Sequence, residues 1–590
     1  MRAAVLLALV LAAAPACRAQ ISATPPPVRA ERGMVVAAEH LAAEAGLGVL
    51  RAGGNAADAA AATGFALAVT FPVAGNLGGG GFAVLRQPDG SATTLDFRET
   101  APAAATRDMY LGPDGEPDPD LSRRGWLAVG VPGAVAGLLE MQRRWGRLDR
   151  AAVLDPAVAL ARDGFPLSDA EAARLNGFRT RFADFAATDA LFGGTAAARA
   201  GNPDSLWRAG DRLRQPDLAR TLTRIRDRGR DGFYRGPTAD FLVDAMRAGG
   251  GLITHADLAS YRPVERAPVE GTYRGHRVLS MPPPSSGGVA LVQLLNAVEP
   301  HDLGALGFGS SASVHLMAEA MRRVYADRAE WLGDPDFVDV PVAGLTGKGY
   351  MTRRMADFDA ARAGASDSTV AGAPPESPQT THFSIVDRDG FAVSLTTTLN
   401  GAYGSLAVAP GTGFLLNNEM DDFSAKPGTP NMFGLVGAEA NAIAPGKRML
   451  SSMSPTIVEW PDGRLRLVVG SPGGGRIITT VFETITNVID HGMDVQAAVA
   501  APRVHHQWLP DVLFVEERGL AADAVAALRE RGWTVRQGGR WSRADAIEVV
   551  YRESDTATDP SGLETTETRR AGRVLLGGAD PRGEDVAVGW

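Results

Sequence analysis

Two hairpin signatures constrain this chain most. TTHFSIVD-RDG-FAVSLTTTLN (Thr380–Asn400) and SPTIVEW-PDG-RLRLVVG (Ser454–Gly470) each set two apolar, β-branched runs around an Asp-Gly turn. Such hairpins need neighbouring strands along their edges and a layer over each apolar face. The rest of the chain supplies both. Met34–Thr70 reads as two Ala-rich helices broken at Gly53-Gly54, with Asn55 placed to cap the second. The Gly-rich run GNLGGGGF (Gly75–Phe82) leads into strands AVLRQ and TTLDFRE around the turn Pro88-Asp89-Gly90. From about 132 to 345 the pattern is mostly helical, interrupted by a strand pair near Gly271–Leu279 and the loop MPPPSSGG (Met281–Gly288). SPGGGR (Ser471–Arg476) opens a helix running to about Asp490. A helix at Ala521–Arg531 and strands AIEVVYRE and GRVLLGGAD follow. Helices ahead of the first sheet and after later strands predict an α/β (α+β) fold with sheets layered between helices.

With 590 residues, 45% hydrophobic and 22% charged, the chain can bury more than one large core, which excludes collagen-like, coiled-coil and disordered readings. The formal charge is −9, and removal of Arg2 and Arg18 with a leader brings it to about −11, which argues against nucleic acid as a partner. Lys348, Lys426 and Lys447 are the only lysines. A single cysteine, Cys17, excludes a disulfide framework, a cysteine-ligated zinc and a catalytic thiol, so any nucleophile is an oxygen or an amine. The nine histidines form neither HxxxH nor HExxH. The one close pair, His505-His506, would point to opposite faces of a strand and reads as structural, so no metal is expected.

Residues 1–20 combine a basic start, an apolar run of about a dozen residues and small residues at Ala14, Ala16 and Ala19, the pattern of a secretory signal peptide. Cleavage after Ala16 or Ala19 predicts a soluble periplasmic or secreted protein, with lipid anchoring at Cys17 a minor alternative. No later stretch reads as transmembrane, since Ala56–Val73 holds Asp58 and Pro72. ARAGASDSTVAGAPPESPQ (Ala361–Gln379) is almost free of large apolar residues and reads as an exposed, flexible segment, and Ser554–Arg570 as a mobile loop.

Three constellations could carry chemistry. Thr380 opens a buried-type strand directly after the flexible segment. If the chain is cut before it, one residue holds both a nucleophilic hydroxyl and an amine base. Without a cut, Thr380 is an ordinary β-forming residue. SPGGGR places backbone N–H groups at a helix start, suited to a phosphate or an acyl-transfer oxyanion, or else is a tight packing turn. A P-loop is excluded because no Gly-Lys-Ser/Thr follows. Third, Asn400, NNEMDDF (Asn417–Phe423) and Ser451-Ser452 could clasp an amino-acid-like ligand, with Glu419 or Asp422 taking the ammonium and an arginine such as Arg98 the carboxylate.

In this order the blocks resemble the γ-glutamyltransferase (γ-glutamyl transpeptidase) family of N-terminal nucleophile hydrolases. QTTHFS, TLNGAYG, LLNNEMDDFSAKPG, LSSMSPT and GSPGGGRI carry the resemblance most specifically. GGNAADAA, LDFRETAP, PPPSSGG, HHQWLPD and GADPR extend it over nearly the whole mature chain. It implies a four-layer αββα sandwich, self-cleavage between Gln379 and Thr380, and subunits 20–379 and 380–590 after a signal peptide at 1–19. It also implies Thr380 as nucleophile, Thr398 hydrogen-bonded to it, and Gly473 and Gly474 as the oxyanion hole. Arg98, Ser451 and Ser452 would hold the α-carboxylate, and Asn400, Glu419 and Asp422 the α-amino group. The expected reaction transfers the γ-glutamyl group of glutathione and related compounds to water or to amino acid and dipeptide acceptors, without cofactor. Asp422–Ser451 resembles the family lid, with Phe433 where bacterial members commonly carry Tyr. A cephalosporin or glutaryl acylase of the same fold, or a non-catalytic exported binding protein, is the competing expectation.

Overall fold

The computed structural model describes residues 24–194, 206–366, 380–551 and 572–590. Residues 1–19 with Cys17, most of Ala361–Gln379 including Gln379, and the Ser554–Arg570 insert lie outside them.

Two seven-stranded sheets stack face to face. The first runs, in spatial order, Val586–Gly589, Met34–Ala37, Thr380–Val386, Ala392–Thr398, Gly80–Arg86, Ala92–Asp96 and Val264–Arg266. The second runs Val28–Ala30, Arg573–Gly578, Asp545–Tyr551, Leu465–Gly470, Thr456–Glu459, His276–Ser280 and Val269–Tyr273. Every pairing in both is antiparallel. The two expected hairpins are each central in one sheet.

Strand alternation sorts side chains into three apolar layers. Phe383, Ile385, Val393 and Leu395 point from the first sheet onto helices His40–Arg51 and Ala56–Thr70, the outer layer on that side. Their sequence neighbours face inward, where Val84 and Val386 meet Ile457, Val468 and Ile547 between the sheets. On the far side, Val458, Leu467 and Val469 pack against helices Gly287–Val298, Ser311–Trp331 and Arg476–Ile489. This is the four-layer αββα sandwich.

Asn55 caps its helix as expected, accepting from the Ala57 and Asp58 amides, while Asp58 answers from the third helical position. One expectation needs correction. Met34–Ala37 is a strand and not the start of a helix, and the first helix begins at His40 behind the capping carboxylate of Glu39. All four strand residues are buried, because the strand lies between two others with its sheet covered on both faces. The short helix Val495–Ala500 and the edge strands Val586–Gly589 and Val264–Arg266 add to what the sequence indicated. No helix of the described residues is long and apolar enough to cross a membrane.

Candidate active site

Thr380 is the first residue of its strand and stands directly opposite Thr398. Its Oγ1 lies 3.5 Å from the Thr398 Oγ1, which in turn accepts the Asn400 amide at 2.7 Å. Asn400 reaches that position with a left-handed φ of 73°. Gly79, from the GNLGGGGF run, lets the neighbouring backbone close under this corner, since a Cβ there would sit 2.0 Å from the Thr398 carbonyl. The threonine is buried but not sealed: it is 5% exposed and lines a cleft.

The other wall of the cleft comes from the second sheet. After Gly470 the chain makes the turn Ser471–Gly475 and enters helix Arg476–Ile489, with Gly473 at φ 135° and Gly474 at φ 55°, values that favour glycine. Neither the Gly473 nor the Gly474 N–H donates to any described residue, and the helix has no side-chain cap. Two amides that donate to no described residue therefore sit at a helix start, where backbone N–H groups suit an anion. Gly474 lines the cleft together with Thr380. Gly473 does not line it and is backed by Ser542, whose Oγ a Cβ would meet at 2.0 Å. The Phe433 ring closes against Gly474, where a Cβ would be 2.5 Å from it, and the Phe433 carbonyl accepts from Gln507 at 3.2 Å.

The floor is charged. Arg98 is fully buried, with Nη1 2.5 Å from Glu419 Oε2, Nη2 2.5 Å from Asp422 Oδ2 and Nη1 3.7 Å from Glu99. Burial opposes the guanidinium charge, but Glu419, Asp422 and Glu99 outweigh it and hold its pKa above the usual range. The same burial pushes all three carboxyls up against the pull of Arg98, Glu99 to about 8. The groups assigned to the two ends of a ligand are thus one contiguous network. Asn431 and Asn441 donate to Asp422 at 2.9 and 2.7 Å, tying the following loop to it.

Asn400 spends its amide nitrogen on the Asn418 carbonyl at 3.0 Å, while its Oδ1 accepts from no described residue. Ser451 Oγ accepts the Met453 amide at 3.2 Å and Ser452 Oγ accepts from Arg328 at 3.1 Å. The structure therefore gathers Arg98, Thr380, Thr398, Asn400, Glu419, Asp422, Phe433, Ser451, Ser452 and Gly474 around one cleft. Leu435, Met453, Ile477 and Arg328 also line it and were not singled out from the sequence. Arg328 had no local signal, since one arginine inside a long helix looks like any solvent-facing charge.

No histidine, lysine or cysteine is among the described residues lining the cleft. His382, two residues on from Thr380, is turned between the sheets against Gly470. Its ring nitrogens meet Thr396 Oγ1 at 2.9 Å and Ser384 Oγ at 3.0 Å, and burial depresses its pKa to about 3, so it stays neutral and structural. His505 and His506 are also buried, bonded to Gln507 at 2.8 Å and Asp511 at 3.0 Å. No cluster able to hold a metal occurs among the described residues.

Two sheets between helices, a hydroxyl residue opening a central strand and a glycine turn of free amides across from it define the N-terminal nucleophile hydrolase class. Within that class the comparisons are specific. The family model described as Gamma-glutamyltranspeptidase matches residues 42–590, and the chain belongs to that family. It is 50% identical over 512 residues to the "Glutathione hydrolase proenzyme" of Escherichia coli (strain K12), covering 86% of this chain and 87% of that protein. Among solved structures, a cephalosporin acylase from Bacillus halodurans superposes with a TM-score of 0.79 at 27% identity, covering 99% of both chains. A chain of Helicobacter pylori gamma-glutamyltranspeptidase superposes with a TM-score of 0.53 at 45% identity, covering 54% of this chain and 90% of that one.

Proposed function

We propose that this γ-glutamyltranspeptidase-family enzyme cuts itself before Thr380 and then uses that residue to transfer the γ-glutamyl group of glutathione and related amides. In maturation the Thr380 Oγ1 attacks the Gln379 carbonyl carbon. The peptide C–N bond breaks, and water hydrolyses the resulting ester, leaving subunits 20–379 and 380–590 and a free α-amine on Thr380. In turnover that amine accepts the hydroxyl proton as Oγ1 bonds to the γ-amide carbon. The Gly473 and Gly474 amides receive the oxyanion, and the proton leaves with the departing amine. The γ-glutamyl ester then passes to water, releasing glutamate, or to an amino acid or dipeptide. No step calls on a metal or an organic cofactor.

The observation that carries this reading is the meeting of Thr380 with Gly474 and the Arg98–Glu419–Asp422 network in one cleft. A γ-glutamyl group presents one ammonium and one carboxylate, and this network offers both charges side by side. Arg98, Ser451 and Ser452 take the carboxylate, while Asn400, Glu419 and Asp422 take the ammonium. A glutaryl group lacks the ammonium and would leave the acidic side unpaired, which weighs against an acylase despite the likeness to one. Export through a signal peptide at 1–19 belongs to the same proposal.

The deciding experiment is release of chromophore from a γ-glutamyl anilide and from the matching glutaryl anilide, with and without a dipeptide acceptor. Preference for the γ-glutamyl anilide and stimulation by the dipeptide are expected. Equal turnover of the two anilides would overturn the assignment of the acidic side.

A further inference from the structure

The helix Ser311–Trp331 carries a buried cation with no carboxylate ion pair among the described residues. Arg328 is 5% exposed and lines the cleft. Among the described residues its guanidinium bonds to hydroxyls, Nε to Ser286 Oγ at 3.0 Å and Nη2 to Ser452 Oγ at 3.1 Å. Burial lowers its pKa, an effect opposed by Tyr325 and by Asp422 nearby. An arginine kept dry on two serines is costly unless the arrangement serves something else.

A guanidinium has donors and no acceptor, so each serine oxygen it touches must accept, and each serine hydrogen must go elsewhere. For Ser286 the destination is Ser451: its Oγ donates to the Ser451 carbonyl at 2.6 Å, and its amide reaches the same oxygen at 2.8 Å. For Ser452 no described residue takes the hydrogen. Ser451 is in the same state by another route, because its Oγ already accepts the Met453 amide. Both hydroxyls are thereby polarised as donors into the cleft. One turn earlier on the same helix, the Tyr325 hydroxyl donates to the Gly475 carbonyl and steadies the glycine turn.

We infer that Arg328 is a positioning residue for substrate recognition, which turns the Ser452 hydroxyl outward directly and holds the Ser451 backbone in place through Ser286, so that both hydroxyls donate to the substrate α-carboxylate. This gives the PPPSSGG loop, whose Ser286 is the intermediate link, a part in the site. It makes one helix the common support of the carboxylate-binding serines and, through Tyr325, of the oxyanion turn. The inference rests on the proposed role of Ser451 and Ser452.

The test compares γ-L-glutamyl p-nitroanilide with 4-aminobutyryl p-nitroanilide, which keeps the amine and lacks the α-carboxylate. In Arg328→Met, kcat/KM for the glutamyl anilide should fall about tenfold or more, mainly through KM, with the 4-aminobutyryl anilide affected less than about twofold. Arg328→Lys, able to reach one hydroxyl but not both in fork geometry, should recover part of the loss. Ser452→Ala should cost less in the Arg328→Met background than in wild type, because the two act through one contact. Equal losses on both anilides, or strict additivity with Ser452→Ala, would overturn the inference. Should Arg328→Met not yield folded protein, Ser286→Ala removes one of the two grips and must show the same selective loss. A wild type indifferent to the α-carboxylate would overturn the carboxylate reading and this inference with it. A discriminating wild type beside an equally discriminating Arg328→Met overturns the inference alone.

Discussion

The seam between the sheets and the cleft at its end are both buried and both polar, yet they are built oppositely. In the seam His382 lies between Thr396 and Ser384, Ser384 donates to the Asp545 carbonyl at 3.0 Å, Ser394 donates to the Val469 carbonyl at 3.0 Å, and Ser280 meets Thr456 at 2.8 Å. Every one of these groups is neutral, and donor meets acceptor. In the cleft, Arg98 faces three carboxyls, and the Glu99 oxygens accept a hydrogen bond from no described residue. Satisfied hydroxyls stitch sheets together, whereas buried carboxyls that are incompletely paired carry a cost that protonation or a ligand relieves. The same hairpin serves both regions: Thr380 and Thr398 end in the cleft, and Thr396 ends in the seam.

The largest effect that would break this contrast is at Thr380. Thr380→Ala has no oxygen to begin the acyl shift, so on a denaturing gel it should remain one chain and release no chromophore, while its Tm stays near wild type. Thr380→Ser should process and retain some turnover. A Thr380→Ala protein that still matured and turned over would refute the nucleophile assignment.

Arg98→Met comes next. It strips the cation from beside Glu419 and Asp422, and kcat/KM for the γ-glutamyl anilide should drop on the order of 100-fold or more. Asp422→Ala should harm γ-glutamyl turnover far more than glutaryl turnover, and steady-state kinetics on both anilides would read the difference.

Thr396→Val probes the seam with a smaller change of the opposite kind. It leaves one His382 ring nitrogen without its partner and should cost about 1–3 kcal/mol in chemical denaturation, with kcat/KM of the folded enzyme nearly unchanged. A large loss of activity without loss of stability would erase the distinction between the regions.

The smallest effect calibrates buried carboxyls outside both. Glu483, on helix Arg476–Ile489, accepts the Val504 amide at 2.9 Å, and burial pushes its pKa up to about 8. The folded state therefore holds a proton that the unfolded chain has released above the ordinary glutamate range. That stability is fully present below about pH 4.5 and is lost as pH rises through about 8. Glu483→Gln should flatten the fall of Tm between pH 6 and pH 9, approximate bounds chosen around that window. An unchanged slope would show that this carboxyl is ionised in the folded protein.

Much of this was legible in the sequence where the signal is local. The hairpins announce themselves because Phe383 and Ile385 alternate with His382 and Ser384, and Val393 and Leu395 with Ser394 and Thr396, and the Asp-Gly turns fix where each strand reverses. Asn55 is legible because capping needs only three residues. Met34–Ala37 misleads because a four-residue strand covered on both faces shows no alternation, and the Ala-rich helix beside it absorbs the pattern. For the cleft, Thr380 stands out by its place after a Pro-bearing segment, and the glycine turn by its composition. Arg328 stayed invisible because its meaning lies in Ser286 and Ser452, 42 and 124 positions away along the chain. The pairing of Arg98 with Glu419 and Asp422 is likewise a tertiary fact.

The strand order of the first sheet has a consequence for the life of the molecule. Met34–Ala37 lies between Val586–Gly589 and Thr380–Val386, and Ala392–Thr398 lies against Gly80–Arg86, so segments from before and after Thr380 are interleaved within it. If the chain is opened there as proposed, neither piece retains a complete sheet, and each would expose strand edges that the other covers. Refolding, previously a unimolecular search, becomes a second-order encounter that slows with dilution. The matured protein would then owe its persistence to a slow rate of unfolding: the proposed cut would make assembly a one-way event.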